Sequence, residues 1–180
     1  MRLHATILAG CAAFLALTFA ARGEAPAPSS EATWLAAHNQ ARAAFGTPPL
    51  AWNDTLAREA RRWAERLAAE GVLRHSTYEQ RNGTGENLWM GSAGHYSPAQ
   101  MISAFTGEKR HFRAGTFPHV SRTGNWADVG HFTQVVWGDT REVGCAAVRG
   151  RQFDVLVCRY WPSGNVMGKR IAPGRFAVRD

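Results

Sequence analysis

The stretch that most constrains this sequence is Gly130-His131-Phe132-Thr133-Gln134-Val135-Val136-Trp137. An imidazole, a hydroxyl and a carboxamide stand there at the entrance of an apolar run ending in tryptophan. The apolar end calls for burial, and burial takes the polar entrance with it. A buried polar group left without a hydrogen-bond partner costs roughly 1–3 kcal/mol. Any fold this chain adopts must therefore bring partners to His131 from elsewhere in the sequence.

The rest of the chain can supply them. At 180 residues it is long enough for one domain with a substantial core. It is 45% hydrophobic, with seven Trp and nine Phe, which excludes a disordered chain. The formal net charge of +7 comes almost wholly from arginines scattered along the sequence. No basic run is interleaved with aromatics, so they read as a solvated surface and no nucleic-acid partner is expected.

Met1-Arg2, the apolar run from Ala5 to Ala21 and the small residues near Ala20 to Gly23 read as a secretory signal peptide over residues 1–22. A spanning helix needs ~20 apolar residues, so no stable membrane span is expected in the mature chain. Leu8-Ala9-Gly10-Cys11 resembles a lipoprotein cleavage box, but a cut there leaves half of the apolar region on the product. Residues 23–30 are a Pro/Ser linker, 31–168 the folded domain and 169–180 an irregular tail. The expected location is secreted or periplasmic. Once Cys11 leaves with the signal, Cys145 and Cys158 remain, an even count in an oxidising compartment. They are expected to pair, the alternative being two buried free thiols.

Ser30 is placed to cap a helix from Glu31 to about Phe45, carrying Trp34, Leu35, His38 and Arg42. Asn53 or Asp54 caps a second helix to about Glu70, where Leu56, Ala60, Trp63, Ala64 and Leu67 form an apolar stripe. Its arginines and glutamates make a charged outer face, and Gly71 stops it. Both helices read as scaffold, with His38 a satisfied core residue. Gly85 to Gly91 is a strand or bend entering the core. Ser97-Pro98 opens a third helix that ends near Glu108. His111 to Val129 reads as a long loop, and Glu142–Arg149 and Phe153–Trp161 as strands joined at Gly150-Arg151. An antiparallel pairing of these strands can bring Cys145 and Cys158 together. Helices followed by strands point to an α+β domain.

His75, Glu86, Glu108 and His131 are the ionisable groups set in apolar or glycine-bearing contexts. Two histidines and two glutamates can build a divalent-metal site, with carboxylates orienting the imidazoles, or a hydrogen-bonded network that braces the fold. Neither HExxH nor CxxC is present.

The Gly130–Trp137 stretch with Thr140 resembles the first signature of the CAP superfamily: cysteine-rich secretory proteins, antigen 5 and pathogenesis-related protein 1, also called SCP. Leu156 through Val166 resembles the second signature. His38-Asn39-Gln40-Ala41-Arg42, Leu50-Ala51-Trp52, His75-Ser76 and Gly85-Glu86-Asn87-Leu88 match further landmarks in order. The resemblance implies an α–β–α sandwich, with an antiparallel or mixed sheet between helical layers. It places the family's cleft tetrad on His75, Glu86, Glu108 and His131. It implies that the two histidines can hold Zn²⁺ or another divalent cation, and that Cys145 and Cys158 are bridged. One departure is Phe105-Thr106, where the family's third helix carries tryptophan or tyrosine before its glutamate. The chain also lacks a C-terminal cysteine-rich module, so channel blocking is not implied.

The functions that follow are a secreted module binding lipid, sterol or protein, and a metal-dependent peptidase in which Glu86 or Glu108 activates water. A third reading makes the tetrad purely structural. Ser76 reads as a turn-stabilising serine rather than a nucleophile.

Overall fold

The computed structural model describes residues 29–172. The expected signal peptide, Cys11, most of the expected linker and the end of the tail lie outside the described residues. The helices are α1 (Ser30–Phe45), α2 (Asp54–Glu70), α3 (Pro98–Thr106) and α4 (Gly130–Val135). The strands are β1 (Ala51–Trp52), β2 (Gly85–Ser92), β3 (Glu142–Arg149) and β4 (Phe153–Trp161).

Local chemistry sets most helix ends. Ser29, not Ser30, is the N-cap of α1, because its side chain takes the Ala32 N–H one position earlier than the sequence suggests. Asn53 caps α2 through the amides of Thr55 and Leu56, and Gly71 ends it in a left-handed conformation. Ser97 and Gln100 form a reciprocal capping box at the start of α3. The expected long loop after His111 is broken by a 3-10 turn over Trp126–Val129 and leads directly into α4.

The sheet order is β1-β3-β4-β2, with β1 parallel to β3 and the other pairs antiparallel. Alternation along β4 divides the interior in two. Val155 and Val157 pack with Ala60, Trp63, Ala64 and Leu67 of α2. Leu156, Cys158 and Tyr160 face the opposite way, into a core with Trp34, Ile102, Phe105 and Phe132 from α1, α3 and α4. The result is the three-layer α–β–α sandwich around a mixed sheet. Gly144 lets α2 lie close on β3, since a Cβ there would meet Asn53 O and Ala57 N. Cys145 and Cys158 are directly opposed in the β3–β4 register and bonded to each other.

Candidate functional site

The polar entrance of the Gly130–Trp137 stretch forms α4, and every polar side chain in it finds a partner. Glu108, in a 3-10 turn after α3 (Gly107–His111), accepts from the amides of His131 (2.9 Å) and Phe132 (3.1 Å). Those are unsatisfied N–H groups at the start of a helix whose own N-cap residue, Val129, offers no side-chain acceptor. The other Glu108 oxygen takes His131 Nδ1 at 2.6 Å. Phe105 stacks on the His131 ring at 4.9 Å, so the expected departure from tryptophan or tyrosine still places an aromatic against the imidazole. Thr133 donates to Asn165 Oδ1, and Gln134 accepts from the Gly164 amide. Gly85 leaves the room that Gln134 occupies. From below, the buried Arg42 of α1 donates to the carbonyls of Val135, Trp137 and Thr140. These bonds tie down the carbonyl end of α4.

His75 is held differently. It stands on the loop after α2, with its side chain 58% exposed, while its partner Glu86 on β2 is 1% exposed. Glu86 Oε1 accepts from His75 Nδ1 (2.7 Å) and the Ser76 amide (3.0 Å). Its Oε2 accepts from Ser76 Oγ (2.8 Å) and meets Arg159 Nη2 at 3.1 Å. Burial pushes the Glu86 carboxyl upward, but the hydrogen bond from His75, the Arg159 charge and the Ser76 donors outweigh it. The group is held below the usual carboxylate range. Ser76 Oγ also accepts from Arg159 Nη1, so this serine braces two strands rather than stabilising a local turn as its sequence context suggested.

His75 and His131 line one cleft of about 540 Å³ together with Glu86, Arg81, Trp126 and Asn165. Glu108 stands behind His131 rather than in the wall. The tetrad picked from sequence thus assembles as two imidazole–carboxylate pairs, His75–Glu86 and His131–Glu108. Carboxylates only accept, so each Nδ1 carries a hydrogen, and in the neutral ring it is Nε2 that keeps the lone pair. Among the described residues no hydrogen bond occupies either Nε2.

The set of three metal-capable atoms that lie within 4.8 Å of one another is elsewhere, at His38, Cys145 and Cys158. It is not a metal site. The sulfurs are bonded to each other, and both His38 nitrogens are engaged, with Trp34 O and the Tyr160 hydroxyl. Burial, the largest influence, lowers the His38 pKa to about 4 and keeps the ring neutral, a satisfied core histidine.

Sequence reading missed Arg159 and Arg42 as parts of this construction. The signal for Arg159 was present: it falls on the same alternate positions of β4 as Val155 and Val157, a charge where the pattern calls for an apolar side chain.

The sequence model of the cysteine-rich secretory protein family, CAP, matches residues 35–160. Pathogenesis-related protein 1C of Nicotiana tabacum is 39% identical over 145 residues, covering 79% of this chain and 81% of its own. Venom allergen 5 of Polistes dominula is 34% identical over 130 residues, covering 68% of this chain and 55% of its own. Among solved structures, NaASP2 with Zn²⁺ superposes with a TM-score of 0.70 at 27% identity, covering 80% of this chain and 85% of that one. The chain belongs to the CAP family.

Proposed function

We propose that this protein is an extracytoplasmic binding module whose His75 and His131 hold a divalent cation such as Zn²⁺ at the mouth of a polar cleft. The observation that carries the reading is the shared wall: two imidazoles in one cleft, each with Nδ1 spent on a carboxylate and Nε2 left as a donor to metal. Carboxylates behind metal-binding imidazoles fix the tautomer and raise ligand basicity. The donor set suits a borderline ion bound by nitrogen and water. NaASP2, with its Zn²⁺, supports the same reading by kinship. Relatives in a secretory family and the Cys145–Cys158 disulfide support a location outside the cytoplasm.

The chemistry of the wall favours a polar ligand, such as an extended protein segment, over a sterol or fatty acid. Apart from Trp126 and Ala127, the lining is imidazole, guanidinium, carboxylate, amide, hydroxyl and glycine backbone. A bound cation would supply electrostatic attraction for a carbonyl or carboxylate of that ligand. Arg81, Asn165 and the amides around it would orient it. A peptidase needs a carboxylate free to take a proton. Both oxygens of Glu86 and both of Glu108 are already accepting hydrogen bonds, and Glu86 is held in its weakly basic form.

Calorimetric zinc titration tests the site. About one equivalent is expected, with affinity falling on acidification because protons compete for the imidazoles. Combining His75→Ala with His131→Ala is expected to abolish it, and unchanged uptake in that double variant would move the site elsewhere. Saturable uptake of a labelled sterol, displaced by zinc, would overturn the polar-ligand reading.

A further inference from the structure

Asn87 stands on β2 between the core and the cleft, and the bonds behind it leave its carboxamide one orientation. They start at His38, whose Nδ1 meets Trp34 O at 2.8 Å. A carbonyl only accepts, so Nδ1 carries the hydrogen and Nε2 of this neutral ring is an acceptor. Facing that Nε2 at 2.8 Å is the Tyr160 hydroxyl, which burial keeps protonated and which therefore donates to it. With its hydrogen spent there, the Tyr160 oxygen accepts from Asn87 Nδ2 at 3.1 Å. The same Nδ2 donates to the His131 carbonyl, also at 3.1 Å. Both amide hydrogens of Asn87 are thus used. Turning the amide over would set Oδ1 against the His131 carbonyl oxygen.

What remains is Oδ1. Asn87 is only 2% exposed, and it lines the cleft. Among the described residues Oδ1 accepts no hydrogen bond. Nor is it one of the side-chain atoms sealed from solvent without a partner, which are Trp34 Nε1, Thr47 Oγ1, Arg81 Nε and Arg159 Nε. Solvent therefore reaches this oxygen, through the cleft that the residue borders. A buried carboxamide is almost always satisfied, by protein or by ordered water, so an acceptor left open toward a cleft marks a place for a donor.

We infer that Asn87 Oδ1 is a fixed acceptor on the cleft wall that selects for ligands bringing an N–H, and that the ligand class is a peptide backbone. The inference rests on the reading of the cleft as a polar-ligand site. An amide free to turn could offer either its oxygen or its NH₂; the bonds to Tyr160 and His131 remove that choice. Because Asn87 is bonded to the main chain of His131, its acceptor stands beside a residue proposed to hold the cation. A peptide segment carries both complements, a carbonyl for the cation and an N–H for Oδ1. An ester in place of that peptide group brings only lone pairs to Oδ1 and is disfavoured.

The experiment titrates acetyl-triglycine amide into the full protein, metal-free and zinc-loaded, beside three analogues in which each glycine N–H in turn is replaced by an ester oxygen. Binding is followed by amide chemical shifts, including those of the Asn87 side chain. One analogue is expected to bind about tenfold more weakly than the parent peptide in both forms of the protein, the worth of one hydrogen bond. Asn87→Ala should bring the parent peptide and that analogue to within about twofold of each other. The ester series needs no variant, so it decides the matter even where Asn87→Ala fails to fold. Peptide binding indifferent to all three esters overturns the role of Asn87 and leaves the cleft a polar-ligand site. Absence of peptide binding in both forms overturns the role and the peptide class together. Ester discrimination in a protein that takes up no zinc supports the role of Asn87 and removes only the cation.

Discussion

The two imidazole–carboxylate pairs whose histidines line the cleft use the same bond and opposite construction. His131 is the fixed member: its ring stacks on Phe105, its own amide donates to the carboxylate it pairs with, and Arg42 anchors the far end of its helix. In the other pair the carboxylate is fixed and the ring is not. Glu86 is sealed between Ser76 and Arg159, while His75 extends into solvent. One imidazole is therefore preset in position, and the other is a ring tethered through a single hydrogen bond. In the proposed cation site, the fixed His131 ring would set the position of the ion and the His75 ring would move to complete its coordination.

That asymmetry predicts unequal responses to substitution. The largest effect is expected from Glu86→Ala, which strands a buried Arg159 charge and should cost about 3–5 kcal/mol in urea unfolding. A loss under ~1 kcal/mol would mean that water reaches Arg159 and that the brace is not sealed. Next comes Glu108→Gln, which removes the charge behind His131 while keeping its shape. Zinc affinity should fall about 10–100-fold, whereas stability should fall by only about 1–2 kcal/mol. Equal zinc affinity would detach Glu108 from the metal function.

The acid limb of stability should carry the mark of Glu86, beside that of Asp154, whose carboxyl the Arg149 hydrogen bond also holds below its usual value. The folded Glu86 carboxyl is held below the usual value, so the unfolded chain binds the proton more readily. Stability from this group is therefore full above the ordinary glutamate range of ~4.3 and is lost as pH falls through the lower folded value. Urea midpoints measured from pH 7 down to pH 3 should drop less steeply in Glu86→Gln than in the parent. Parallel curves would remove Glu86 as the cause. The smallest effect is expected for His75→Ala: stability within ~0.5 kcal/mol of the parent, because the ring is exposed, yet weaker zinc binding. A large destabilisation would show His75 to be part of the brace rather than its tethered load.

Much of this was legible from sequence wherever the determinant is local. The bounds of β3 and β4, the Asn53 and Ser97 caps and the Gly71 stop follow from residues within a few positions of one another. The tetrad was legible as four ionisable groups in unlikely surroundings, and so was the resemblance that orders them. Their pairing was not, because it depends on which carboxylate each loop reaches. The α4 helix was also hidden: Gly130-His131-Phe132-Thr133 has no helical periodicity, and its first amides are capped by Glu108, 23 residues earlier. Arg159 meets Glu86 only through the β2–β4 register, a match that no run of sequence displays.

The disulfide bears on that match. Side chains along a strand point alternately to its two faces, so a slip of one residue between neighbours turns every one of them over. By joining two directly opposed residues, Cys145–Cys158 fixes the parity of β4 as well as its attachment to β3. With Cys158 committed to the α1–α3 side, the next residue must turn toward α2, and that residue is Arg159. A bond buried in one layer of the sandwich thus decides which layer receives the charge that holds Glu86.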